Sequence, residues 1–155
     1  MMQQLNLPPY NFTLSKDGNN IKIFDAIRKK NLVLTPEEWV RQHFIQFLIQ
    51  EKDFPKGLMA IEKGLSINGL KKRCDILCYS NTGIPLLMVE CKAPNIPINQ
   101  AVFDQIARYN IKFRLPYLIV TNGMQHYCAM VNFDNESFKF LNEIPNYNSL
   151  ELDKK

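Results

Sequence analysis

Between Leu58 and Thr121 the chain passes through four short apolar stretches, and this succession constrains the fold more than any other feature. They run from Leu58 to Leu65, Cys74 to Tyr79, Ile84 to Cys91 and Tyr117 to Thr121, each of strand length. The turn sequences Asn68-Gly69 and Asn81-Thr82-Gly83 separate the first three, which therefore read as an antiparallel meander. Between the third and fourth lies Ile98 to Phe113, whose Val102, Phe103, Ile106, Tyr109, Ile111 and Phe113 recur at helical spacing. Strand, helix, strand returns the chain to the same sheet by a crossover. The expected fold class is α/β, a central mixed β-sheet flanked by helices.

The flanking segments complete the plan. Thr35-Pro36-Glu37-Glu38 is a full helix-start signal, with Thr as cap, Pro at the first helical position and Glu three residues after the cap. The helix is expected to reach about Lys52, burying a stripe of Trp39, Val40, Phe44, Phe47 and Leu48. Gln125 to Val131 and Ser137 to Ile144 read as two further strands, the last at an edge. Residues 1–20 are expected to form a polar N-terminal arm, 21–145 the domain and 146–155 a fraying tail.

A length of 155 residues suits one domain, and 46% hydrophobic with 22% charged residues suits a chain with its own core. No stretch approaches the ~20 consecutive apolar residues of a membrane span, and Met1 to Tyr10 has no secretory pattern. The expectation is a cytoplasmic protein with no membrane association. Cys74, Cys78, Cys91 and Cys128 contain no C-x-x-C pair, and three lie in strand-like runs, so they read as reduced core thiols. The net charge of +4 is uneven: residues 22–73 hold eleven basic against six acidic residues. Such a half suits a polyanionic partner, although solvated lysines produce the same excess.

Charges at strand ends suggest the chemistry. Asp75 opens an apolar strand, and Leu86-Leu87-Met88-Val89 runs directly into Glu90-Cys91-Lys92. Central strands rarely carry such groups without partners. Side chains alternate along a strand, so Glu90 and Lys92 share a face while Cys91 points away. Pairing through the Asn81-Thr82-Gly83 turn can bring Asp75 opposite them. Two carboxylates, completed by the Cys91 backbone carbonyl and waters, suit Mg²⁺, with Mn²⁺ as substitute. Lys92 would orient the nucleophile and offset negative charge on a scissile phosphate. The competing reading is a structural salt bridge among the three.

Asp75, with Glu90-Cys91-Lys92 following in the adjacent strand, resembles the PD-(D/E)XK nuclease superfamily. More closely it is similar to the N-terminal nuclease domain of type I restriction enzyme motor subunits, from about Phe24 to Tyr147. Phe103-Asp104-Gln105-Ile106-Ala107-Arg108-Tyr109 strengthens the likeness, since a Gln-x-x-x-Tyr element follows the Glu-x-Lys strand in one nuclease branch. Positions i and i+4 share a helix face, so Gln105 and Tyr109 can both look toward the site or bound DNA. Otherwise Tyr109 is a core aromatic and Gln105 a solvated residue. The resemblance implies a restriction-endonuclease-like fold, Asp75 and Glu90 as metal ligands and Lys92 as the catalytic lysine. It also implies a Glu on the first helix, for which Glu38 is the candidate alongside its capping role, with Glu62 a weaker one. The motif's usual Pro before the first acid is Cys74 here.

Implied partners are DNA, a separate motor or specificity subunit, and a second copy as a homodimer. No Gly-x-x-x-x-Gly-Lys-[Ser/Thr] phosphate loop occurs. Lys71-Lys72-Arg73 reads either as a grip on phosphates or as a solvated turn. His126 reads as a packed or edge histidine, and His43 as solvent-facing or partly buried. Two rivals to a Mg²⁺-dependent nuclease remain: a catalytically silent module of the same fold that binds DNA or protein, and a structural α/β protein with a buried ion pair.

Overall fold

The computed structural model describes residues 2–150. A three-stranded antiparallel sheet comes first, formed by β1 (Leu14–Asp17), β2 (Asn20–Asp25) and β3 (Lys30–Val33). The tip between β1 and β2 lies in the run Lys16 to Asn20, where turn residues predicted it. Helix α1 (Pro36–Lys52) starts as its sequence dictates: the Thr35 hydroxyl accepts from the Glu38 backbone N–H at 3.0 Å, and Pro36 is its first residue. It ends at Asp53 in the left-handed conformation.

A six-stranded sheet follows in the order β4-β5-β6-β7-β8-β9. Its strands are β4 (Met59–Ile67), β5 (Leu70–Tyr79), β6 (Pro85–Cys91), β7 (Tyr117–Thr121), β8 (His126–Asn132) and β9 (Ser137–Leu141). Helix α2 (Gln100–Asn110), capped by Asn99, carries the crossover, so β6 and β7 are parallel while the other neighbours are antiparallel. The expected meander, crossover and edge strand are all present.

The sheet separates two apolar layers. On one side Val40, Phe44, Ile45 and Leu48 of α1 pack on Ile76, Leu87, Val89 and Ile119. On the other, Phe103 and Ala107 of α2 pack on Leu77, Met88, Leu118 and Val120. Burying these fully is the main stabilising term, at about 1.5–3 kcal/mol for each large side chain.

Three local expectations change. The helix expected over Ile98 to Phe113 is α2 followed by a short 3-10 turn, Ile111–Phe113. Lys71-Lys72-Arg73 lies inside β5 and not in a turn, because pairing with Ser66, Leu65 and Gly64 of β4 extends the strand back to the tight turn at Asn68-Gly69. Both turn residues have positive φ, at 51° and 81°, as a two-residue hairpin turn requires. In the tail, Tyr147 and Leu150 are buried and the Tyr147 hydroxyl donates to the Tyr79 carbonyl, so 146–150 is docked. Residues 151–155 of that tail lie outside the described residues. At the other end, Leu5 belongs to the α1-side core and the Asn6 N–H donates to the Gly123 carbonyl at 2.8 Å. Gly123 has φ 85°, and a Cβ there would meet the Leu5 side chain at 2.9 Å, so the position suits glycine twice over.

Candidate active site

The alternation of β5 breaks at Asp75. Cys74 belongs to the α2-side core and Ile76 to the α1-side core, while the Asp75 carboxylate reaches Arg41 of α1. The β4–β5 ladder pairs Ile61 with Ile76 and Lys63 with Cys74, leaving out Glu62 and Asp75 between them. Glu62 has φ 52°, a left-handed conformation that costs a non-glycine residue about 1–3 kcal/mol. Surrounding bonds hold it there, since Arg28 Nη1 donates to Glu62 Oε1 at 2.7 Å. The distortion frees the Asp75 carboxylate from the regular pleat.

Asp75, Glu90 and Lys92 line one cleft of about 190 Å³ together with Glu37, Lys72 and Cys91. Asp75 Oδ2 accepts from the Cys91 backbone N–H at 2.8 Å, and Oδ1 accepts from Arg41 Nη2 at 2.9 Å. Glu90 Oε2 lies 3.0 Å from Lys92 Nζ, and Oε1 accepts from Lys72 Nζ at 3.4 Å. Cys91 turns into the α1-side core, opposite to Glu90 and Lys92, as strand alternation requires.

Glu38 lies behind this cleft. Its carboxylate pairs with Arg41 and accepts from Gln42 at 2.8 Å and from Arg28 at 3.3 Å, with the side chain only 8% exposed. The acid of α1 that lines the cleft is its neighbour Glu37, 47% exposed and 3.2 Å from Arg41 Nη2. Burial, followed by the negative charge of Asp75, raises the Glu37 pKa. Sequence reasoning passed over Glu37, and the signal that could have found it is its place two residues after the Thr35 cap, in the first turn of the helix.

Gln105 and Tyr109 stand apart from the cleft's lining. Gln105 is exposed on α2, and Tyr109 is 49% exposed with Lys112 Nζ 4.4 Å and Lys72 Nζ 5.6 Å from its ring centre. Tyr109 is therefore no core aromatic. Lys72 links it to the site, touching Glu90 with the same ammonium. His43 packs against Trp39 and Phe12, and His126 bonds Thr121 and Asn6, so neither faces the cleft.

The donor set suits a hard cation in type. Mg²⁺ takes one or two carboxylates and keeps its remaining ligands as water or phosphate oxygen. Soft ligation does not compete, because burial pushes the Cys74 thiol up to about 11 and the Cys91 thiol well above its usual range. Among the described residues no three His, Cys, Asp or Glu side chains form a ready-made metal cage. The groups in the cleft that could hold a hard cation are the Asp75 and Glu90 carboxylates and the Cys91 backbone carbonyl.

A mixed sheet with an antiparallel meander, a helical crossover and acids at the β5–β6 end defines a restriction-endonuclease-like fold. Residues 36–145 match the family model of the type I restriction enzyme R protein N terminus, and the chain belongs to that family. A solved fragment assigned to the HsdR subunit of a type I restriction enzyme from Vibrio vulnificus YJ016 shares the fold, with a TM-score of 0.52 and 19% identity. The match covers 76% of this chain and 24% of that one, so this chain spans about a quarter of the fragment's length. No curated protein matches the chain in sequence. Among the described residues no helix is long and apolar enough to cross a membrane.

Proposed function

We propose that this chain is a Mg²⁺-dependent nuclease domain that hydrolyses DNA phosphodiester bonds, with Mn²⁺ able to substitute. The observation that supports it best is the convergence of Asp75 with the Glu90–Lys92 pair on one small cleft beside the cations Lys72 and Arg73. Asp75, Glu90 and the Cys91 carbonyl are the groups that would hold the metal. When bound, a divalent cation there supplies Lewis acidity toward a phosphoryl oxygen and toward water.

The protein's own groups do the rest. Lys92 lines the cleft with its Nζ on Glu90 and its side chain one-third exposed, so it can orient a water and meet negative charge developing on phosphate. Lys72 and Arg73 provide positive charge for the neighbouring phosphates. Gln105 and Tyr109, outside the cleft, serve bound DNA and not the reacting phosphate. DNA is the substrate of this reading, with a motor or specificity subunit, and a second copy, as further partners.

A catalytically silent module is the second reading, and one observation favours it: all four carboxylate oxygens of Asp75 and Glu90 already have partners. Cleavage of labelled single- and double-stranded DNA by wild type and Glu90→Ala, with Mg²⁺ and with chelator, decides between them. The nuclease reading expects metal-dependent cleavage that Glu90→Ala abolishes. DNA binding without cleavage in Mg²⁺ or Mn²⁺ would leave the silent module.

A further inference from the structure

Five carboxylates, those of Asp25, Glu37, Glu38, Glu62 and Asp75, are tied together by two guanidiniums, Arg28 and Arg41. This cluster holds five carboxylates against two guanidiniums, and two of its acids, Glu37 and Asp75, line the cleft. Across the cleft the sign reverses, because Glu90 alone faces both Lys72 and Lys92. Any added cation is drawn to the Asp75 side.

Arg41 already occupies that side. Its side chain is 6% exposed, and its Nη2 lies 2.9 Å from Asp75, 3.2 Å from Glu37 and 3.7 Å from Glu62. One nitrogen with two hydrogens thus sits among three carboxylates, while Nη1 pairs with Glu38. The remaining donor, Nε, is buried without a partner. Leaving such a group unpaired is costly, so the guanidinium is oriented by the carboxylates at the expense of its own Nε–H.

We propose that Arg41 is a resident counter-cation at the candidate metal site, holding Asp75 until a divalent cation displaces its Nη2. The inference rests on the reading of Asp75 and Glu90 as metal ligands. A guanidinium cannot leave by losing its proton. Burial opposes the charged form, but Glu38 and Asp75 outweigh it and raise the Arg41 pKa further. Arg41 must therefore move, and its pair with Glu38 is the pivot that keeps it attached while Asp75 is released. Glu38 is on this account a positioning residue, acting on Asp75 through Arg41.

Calorimetric titration of the full chain with Mn²⁺ tests this, comparing wild type with Arg41→Gln, Arg41→Lys, Asp75→Asn and Glu90→Ala. Removing the competing charge should tighten Mn²⁺ binding by about tenfold in Arg41→Gln, while Arg41→Lys, which keeps the charge, stays near wild type. A folded Arg41→Gln protein with unchanged or weaker affinity overturns the inference. If that variant fails to fold, side-chain nitrogen NMR of the wild type gives the answer: the Arg41 Nη signals should change on adding Mg²⁺ while those of Arg28 stay. Unchanged Arg41 signals at saturating Mg²⁺ overturn it equally. Wild-type binding that Asp75→Asn and Glu90→Ala abolish establishes the metal site however Arg41 behaves, so the two readings fail separately. Binding seen only in Arg41→Gln supports the inference, and binding absent from every form, Arg41→Gln included, ends both.

Discussion

The Asp75 carboxylate accepts a hydrogen bond from the Cys91 backbone N–H at 2.8 Å, so a side chain of β5 takes up a main-chain donor of β6 beyond the last paired residues, Ile76 and Val89. The strand end that carries Glu90 is held in place by the same carboxylate that is a candidate ligand. Site and sheet are coupled through one residue.

Asp75→Asn and Asp75→Ala should therefore differ in stability while sharing a loss of metal binding. The amide oxygen of Asn can still accept from Cys91, whereas Ala leaves that N–H unpaired and takes one carboxylate from Arg41, which keeps Glu37, Glu38 and Glu62. Chemical denaturation should find Asp75→Ala about 1–3 kcal/mol less stable than Asp75→Asn. Equal stability of the two would show that the bond contributes nothing.

In the proposed reaction Lys92 serves the chemistry and not the fold. Lys92→Ala removes a charge that is one-third exposed and leaves Lys72 on Glu90, so melting should change little. Cleavage should slow by about 10²–10³, the range for deleting one electrostatic stabiliser of a transition state, while Mn²⁺ affinity holds or rises. Wild-type turnover in this variant would end the assignment.

Two histidines should make the fold acid-sensitive below about pH 6.5. Burial lowers the pKa of both His43 and His126, only partly opposed by hydrogen bonds to the carbonyls of Trp39 and Asn6. The folded value lies below the unfolded one of about 6.5, so their stabilising contribution is complete above 6.5 and is lost as pH falls through the folded values. The melting temperature should drop between pH 7.5 and 5, and drop less in a His43→Phe/His126→Asn protein. A wild-type melting temperature that is flat or rising over that window would contradict the assignment.

Much of this was legible because it is written locally. Thr35-Pro36-Glu37-Glu38 specifies a helix start without reference to the rest of the chain, and Asn68-Gly69 specifies a hairpin turn. Leu14-Ser15-Lys16-Asp17 and Lys30-Asn31-Leu32-Val33 carry no such pattern, and only pairing with β2 makes them strands. Lys71-Lys72-Arg73 looked as much like a turn as a phosphate grip because lysine has low strand propensity, which partnering by β4 overrides. Of the cleft's acids, Asp75 and Glu90 were legible from charges at strand ends, while Glu37 on α1 was not. The arginines were not, since Arg28 and Arg41 find Glu62 and Asp75 34 residues away in each case, a distance that no periodicity encodes.

The choice between Glu37 and Glu38 turns on helix phase, because one residue rotates a side chain by about 100°. That rotation sends Glu38 inward to Arg28, Arg41 and Gln42 and leaves Glu37 at the cleft. Glu38→Gln removes the charge that both arginines share, and breaking a buried pair of this kind costs about 3–5 kcal/mol. Glu37→Gln removes a half-exposed charge and should leave the melting temperature close to wild type. Its effect should instead appear in Mn²⁺ affinity, which weakens because one of the carboxylates facing the cleft is gone. Thermal melts and calorimetry on the two variants separate the roles: a large stability loss for Glu38→Gln, and weakened metal binding without it for Glu37→Gln. The reverse pattern would move the acid of the first helix that serves the site back to Glu38.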